Sequence, residues 1–206
     1  MKIKCIVLIL IIPLLLCGCS VKDFLKDSKT EYTVSSIGFE TAKKGITIYF
    51  EALVVNSEDA DSDVARTIFS GTGTSVNEAV SDALRKTAAP LNFGHTAIVF
   101  LQNGIPRDTF WEIYNFCREE PQISVAIGFV LCDDVAFLLE KDPSASLSVG
   151  YDIAYMLKTQ TNRTKSGYYN RLYECVQRAS LGYWRLPLVA TGKGNFYLNS
   201  TANQII

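Results

Sequence analysis

Hydrophobic and polar positions along this chain switch between strand and helix periods. Tyr32 to Phe39 and Ile46 to Val55 are rich in β-branched and aromatic residues, and Lys43-Lys44-Gly45 between them supplies turn chemistry, so a hairpin is expected. Another strand is expected from Val64. It leads through Phe69-Ser70-Gly71-Thr72-Gly73-Thr74 into a helix whose Val76, Ala79, Val80, Ala83, Leu84 and Thr87 share one face. Ser75 and Glu78 have capping-box spacing at its start, and Ala88-Ala89-Pro90 marks its expected end.

Thr96 to Leu101 is a continuous apolar run, as in a strand buried on both faces. Pro106 opens a second helix with Phe110, Ile113, Tyr114 and Cys117 as its apolar stripe, and Pro121 closes it. Ile123 to Leu131 reads as another buried strand, followed by a short helix capped by Asp133 or Asp134 and running through Leu139. Beyond Asp142-Pro143 lie two stretches of helical spacing, Val149 to Leu157 and Tyr169 to Val176. Two extended segments, Trp184 to Ala190 and Asn195 to Leu198, follow. Strands alternating with helices predict an α+β fold, a mixed sheet covered by helices.

Composition narrows the chemistry. His95 is the single histidine, so no site can use two imidazoles, and any Ser-His-Asp arrangement would pass through that residue. With 20 basic against 21 acidic residues and a net charge of -1, nothing draws the chain to nucleic acid. Glu58, Asp59, Asp61 and Asp63 cluster in one loop but lack the glycine and distal glutamate of an EF-hand, which favours a solvated loop. The Gly71/Gly73 turn lacks a Gly-Lys-Ser/Thr and a third glycine at dinucleotide spacing, so it reads as a strand-to-helix turn and not a phosphate loop. No metal and no cofactor is expected.

The N-terminal residues bear on compartment. Lys2 and Lys4 precede an uncharged apolar run from Cys5 to Cys17, 13 residues against the roughly 20 of a spanning helix, which reads as a secretion signal. Leu16-Cys17-Gly18-Cys19 resembles the bacterial lipobox. That resemblance implies cleavage between Gly18 and Cys19 and acylation of the Cys19 thiol. The mature chain would be 188 residues with a net charge of about -3, too acidic to hold a membrane by a polybasic surface. Lipid would do so instead. Cys117, Cys132 and Cys175 then remain, an odd set without CxxC spacing and in apolar contexts, as expected of buried thiols.

Several anchors between Phe69 and Leu139 occur together in order: Ser70-Gly71-Thr72-Gly73-Thr74 with Glu78-Ala79, then Phe93-Gly94-His95 before an apolar strand, then Phe116-Cys117-Arg118-Glu119-Glu120-Pro121-Gln122-Ile123. In this order, behind a lipobox, they resemble the Ger(x)C family, the lipoprotein C subunits of bacterial spore germinant receptors. Leu186-Pro187 and Gly192 to Leu198 fit the family's extended segment more loosely. After Cys19 the chain has Ser20-Val21-Lys22-Asp23 where the family usually carries Trp-Asp and a nearby glutamate. It also ends at Ile206, where the family usually continues into a further domain.

The resemblance implies a division into a signal peptide (1–18), a lipid anchor and tether (19–30), an N-terminal α+β germination-protein domain (31–142), and a helical segment with final strands opening a second domain (143–206). It implies a structural role for Gly71, Gly73, Glu78, Phe93, Gly94, His95, Arg118 and Pro121, with the His95 imidazole hydrogen-bonded between loop and strand. It further implies a non-enzymatic lipoprotein on the outer face of the spore inner membrane. Its partners would be integral membrane A-type and B-type subunits and the bilayer, with the germinant sensed mainly by another subunit. Two rival expectations are a solute-binding lipoprotein of a transporter and an envelope hydrolase that recruits His95 with Ser70, Cys117, Glu119 or Glu120. Trp111 lies beside the second helix's stripe and either joins the core or faces outward.

Overall fold

The computed structural model describes residues 31–43, 45–55, 64–164, 170–174, 186–192 and 195–199. Gly18, Cys19, the loop at 56–63, Cys175 and Trp184 lie outside the described residues.

The expected hairpin forms from β1 (Tyr32–Ala42) and β2 (Gly45–Val55), paired antiparallel, with Gly45 at φ 125° where a side chain would be strained. β3 (Val64–Gly73) pairs with β2 and leads into α1 (Val76–Leu84). β4 (Leu91–Asn92) and β5 (Ile98–Gln102) both run parallel to β1. A crossover through α2 (Arg107–Glu119) reaches β6 (Gly128–Cys132), parallel to β5. Then come α3 (Val135–Leu139), α4 (Val149–Thr164), β7 (Asn170–Arg171), β8 (Leu188–Gly192) and β9 (Asn195–Asn199). The strands make one mixed sheet in the order β3-β2-β1-β5-β6-β8-β9, with β4 on β1 and β7 on β6. The fold is α+β, as the alternation predicts.

Helices cover both faces of the sheet, and each face has its own core. On one, Ile37, Phe39, Phe50 and Phe129 meet Val76, Ala79 and Ala83 of α1 and Phe110, Ile113 and Cys117 of α2. On the other, Ile98, Phe100 and Val130 meet Val135 and Leu139 of α3 and Val149, Ile153 and Leu157 of α4. The central strands β5 and β6 are apolar on both sides for this reason.

Three expected elements differ in extent. α1 ends at Leu84 and not near Pro90, because the Lys86 and Thr87 amides turn back on the Ala83 and Leu84 carbonyls in a tighter final turn. Leu84, expected on the apolar face, is accordingly exposed. Of the Ile123–Leu131 run only the second half is strand; Ile123 and Ile127 are buried from turns in which their amides donate to Glu120 O and Ser124 O. Within the Tyr169–Val176 stretch, Asn170–Arg171 pairs antiparallel with β6, and Leu172–Glu174 is helical as the spacing predicts. A two-residue strand carries too little sequence to announce a period.

Candidate functional site

The motif residues fall at two ends of the sheet. At the C-terminal end of β3, Gly71 and Gly73 let the α1 backbone lie directly on the strand. A Cβ on Gly71 would stand 2.2 Å from Ala79 O, and one on Gly73 2.5 Å from Ala79 N. Ser75 caps α1 by accepting from the Glu78 amide at 3.3 Å. Glu78 does not close a capping box onto Ser75; its Oε2 accepts instead from the Thr74 amide and hydroxyl. These contacts hold the Glu78 carboxyl below its ordinary range, the Thr74 hydroxyl first and the Thr74 amide second. The Glu112 carboxylate of α2 accepts from the Val76 amide at 3.3 Å and so ties the two helices together.

The other motif blocks meet at the opposite end. Tyr32 opens β1 beside Leu91, and β5 and β6 start level with Ser36, so the N-terminal ends of these parallel strands lie where the chain enters the fold. α2 runs back against them, returning Arg118, Glu119, Glu120 and Pro121 to that end. There the Phe93 amide donates to Gln122 Oε1 at 2.7 Å, which joins the Phe-Gly-His block to the Arg-Glu-Glu-Pro-Gln block. Phe93 is buried, its ring edge-on to Phe50 at 5.3 Å. Gly94 is exposed and its amide donates to Asn92 Oδ1. Arg118 and Pro121 are exposed, with Arg118 paired to Glu119 at 3.3 Å.

His95 departs from the expectation of an imidazole bonded between loop and strand. Its side chain is exposed, and among the described residues only its carbonyl is engaged, accepting from the Tyr151 hydroxyl at 3.4 Å. Among the described residues no hydrogen bond joins His95 to Ser70, Cys117, Glu119 or Glu120. Cys117 is 1% exposed in the core, and Cys132 is free and buried, its thiol pushed up by burial and then by the charges of Glu40, Asp133 and Asp134. Trp111 is half-buried and stacks edge-on against Phe110 and Tyr114. No group of three or more His, Cys, Asp or Glu side chains able to hold a metal occurs among the described residues.

The principal polar centre carries none of the motif residues. Glu51 in β2 is fully buried. It accepts from the Ser35 and Ser36 hydroxyls at 3.0 and 2.7 Å, from Arg66 Nη1 at 2.8 Å, and from the Val149 and Gly150 amides at 2.8 and 3.0 Å. A bulge in β1 makes this possible: Val34 pairs with Ala52 and Ser36 with Glu51, leaving Ser35 over, so both hydroxyls reach one carboxylate. Arg66 also donates to Leu139 O at the end of α3. One buried ion pair thus fastens β2, β3, α3 and the positive N-terminus of α4. Glu40 caps α3 in the same manner, accepting from the Val135 and Ala136 amides and the Tyr49 hydroxyl. Sequence reasoning passed over these residues. The available signal was a lone glutamate in an otherwise apolar strand, opposite a Ser-Ser pair in another.

A cleft of about 1020 Å³ opens beside α4, lined by Ala97, the Ser144–Ser146 turn and Asp152 among others. No helix among the described residues is long and apolar enough to cross a membrane.

Comparison with family models matches the spore germination protein N-terminal domain over residues 26–181. That stretch contains both motif ends, the Glu51 centre and most of both cores. The chain belongs to this spore germination family. The resemblance to Ger(x)C proteins therefore stands on most of the chain and not on scattered motifs alone. A search of curated proteins and a search of solved structures each returned no match. In this germination domain the glycine pair and the Phe93–Gln122 bond are structural junctions, whereas His95, Arg118 and Pro121 are surface features.

Proposed function

We propose that the chain is a non-enzymatic lipoprotein subunit of a spore germinant receptor, which acts by assembling with integral membrane A-type and B-type subunits in nutrient-triggered germination. The observation that carries this reading is the germination-domain match beginning at residue 26, directly behind the lipobox-like Leu16-Cys17-Gly18-Cys19. Two or three acyl chains on Cys19 would give stable attachment where a single chain is marginal, at about 0.8 kcal/mol per buried methylene. Anchoring confines the domain to the membrane surface and raises its concentration relative to membrane-embedded partners, so modest contacts suffice for assembly.

The fold suggests which face docks. Eleven residues lie between Cys19 and Glu31, a reach of about 40 Å when fully extended. The chain enters the sheet at Tyr32, so the end bearing His95, Arg118, Pro121 and Gln122 is the one nearest the anchor. Exposed Val125 belongs to the turn between α2 and β6 at the same end. Side chains there that do little for the fold are the natural contacts for the membrane subunits.

The test is to tag the C-terminus, solubilise spore inner membranes in mild detergent, and identify by mass spectrometry what co-purifies and what Cys19 carries. Recovery with polytopic receptor subunits and a diacylglyceryl adduct on Cys19 is expected. Recovery alone, or with transporter permeases from vegetative cells, would overturn the assignment.

A further inference from the structure

The cleft beside α4 combines an apolar wall with an unsatisfied buried charge. Ala97, Ala154, Met156 and Phe196 line it with hydrocarbon, and Tyr155, 73% exposed, borders it. Asp152, in the first turn of α4, is nine-tenths buried and also lines it. Its Oδ2 accepts from the Ser144 and Ala145 amides and the Ser144 hydroxyl. Its Oδ1 is buried without a hydrogen-bond partner, the one such side-chain oxygen among the described residues. Burial works against the charge. The nearby Ser146 hydroxyl and the Ser144–Ala145 donors nonetheless outweigh it and hold the carboxyl below its ordinary range, so it is ionised at neutral pH.

We propose that this cleft binds a small molecule carrying one protonated amine on an apolar body, with the ammonium against Asp152 and the body along Ala154, Met156 and Phe196. An unserved buried acceptor is costly, and a charged donor relieves that cost. Oδ1 has no exposed surface, so direct contact requires the exposed Ser144–Ser146 turn to shift. A single carboxylate oxygen offers too few ligands for a metal ion, which favours an organic cation. Lys158 also lines the cleft, six residues or about 9 Å further along α4, and disfavours a second positive charge on the ligand. Tyr155 adds an aromatic face on which an ammonium or its apolar body can rest. This site goes beyond the assembly role and does not depend on it.

The test uses the full lipidated chain in detergent, titrated calorimetrically with phenethylammonium chloride and with neutral phenethyl alcohol. Saturable binding of the amine at about 1 mM or tighter, at least tenfold tighter than the alcohol, is expected. Asp152→Asn, which keeps an acceptor for the Ser144–Ala145 wall, should abolish that preference. Because Asp152 also holds the turn, Ala145→Trp provides a second variant that obstructs the cleft and leaves the carboxylate in place; it too should lose binding. Equal binding of amine and alcohol, no binding of either, or undiminished binding by both variants would overturn the proposal. Tighter binding of Nα-acetyl-lysinamide than of phenethylammonium would make the cleft a seat for a partner's lysine and overturn the small-molecule assignment.

Discussion

The Gly150 amide donates to Glu51 Oε2 at 3.0 Å, joining the start of α4 to a carboxylate 99 residues earlier in the chain. The contact depends on glycine, since a Cβ at position 150 would stand 2.5 Å from the Ser36 Cβ and 3.1 Å from Glu51 Oε2. The carboxylate in turn depends on its donors, because a buried charge without them is untenable.

Glu51→Ala is therefore expected to be among the most destabilising substitutions in the chain. It removes the carboxylate that Arg66, two hydroxyls and two helix-terminal amides share, leaving Arg66 with Leu139 O and Ser35 with the carbonyl of residue 51, a loss on the order of 3–5 kcal/mol. Urea unfolding measures it. A loss below about 1 kcal/mol would mean that water or a neighbouring group replaces the carboxylate readily. Gly150→Ala should destabilise through the steric conflict alone, with Glu51 still present.

Gly71→Ala tests the other junction. Its methyl would meet backbone atoms of Ala79 and Ala83, which cannot swing aside as a flexible side chain can. Overpacking of this kind costs about 1–3 kcal/mol, and here α1 must lift from β3 to absorb it. The expected signature is a lowered melting temperature with faster amide exchange in Val76–Leu84. An unchanged exchange pattern there would show that the close approach is not a requirement of the fold.

The strands and helices were legible because their apolar periods are local. Val34, Ile37 and Phe39 mark a strand, and Phe110, Ile113 and Cys117 a helix, whatever they eventually touch. The Glu51 centre was not legible in that way. Its donors come from β1, β3 and the start of α4, and only the folded register brings them to one point. The bulge at Ser35 is equally hidden, since nothing in Ser-Ser announces an extra residue in the ladder. The motif blocks were visible as residue strings, but their roles were separable only after folding. Phe93 and Gln122 bond to each other, while His95, read as bonded through its ring, uses only its carbonyl.

Acid should loosen the β3–α1 junction in a defined window. Asp82 accepts from Lys86 Nζ, the Thr72 amide and Arg85, and its carboxyl is lowered from 3.8 to about 2, chiefly by Lys86 and then by the Thr72 amide. Glu78 is lowered in the same direction by Thr74. Both folded values lie below the unfolded ones, so the unfolded chain binds more protons between them and stability rises with pH there. The contribution is complete above the unfolded carboxylate range and lost as pH falls toward 2. Glu78 is exposed and Asp82 half-buried at the surface, so the effect is small and salt-sensitive. Carboxyl carbon NMR should place Asp82 near 2, and Asp82→Asn should flatten this part of the acid limb of melting temperature against pH. An ordinary titration midpoint for Asp82 would remove the basis for the prediction.

The end of the sheet nearest the proposed anchor allows docking to be separated from folding, because its residues divide by what they touch. Gln122 Oε1 satisfies the Phe93 amide at 2.7 Å, so Gln122→Ala should cost about 1 kcal/mol in unfolding experiments. The exposed His95 ring takes no part in the bond its carbonyl makes to Tyr151, and Pro121 lies exposed beyond α2. His95→Ala and Pro121→Ala should therefore leave the melting transition within the ±0.5 kcal/mol typical of surface changes. If this end meets the membrane subunits, the same two variants should lower the yield of co-purified polytopic protein from spore membranes while Cys19 remains acylated. Stable, acylated variants with undiminished recovery would locate the contact elsewhere on the domain. A variant that lost both stability and recovery would instead return His95 to the structural role inferred for it from the motif alone.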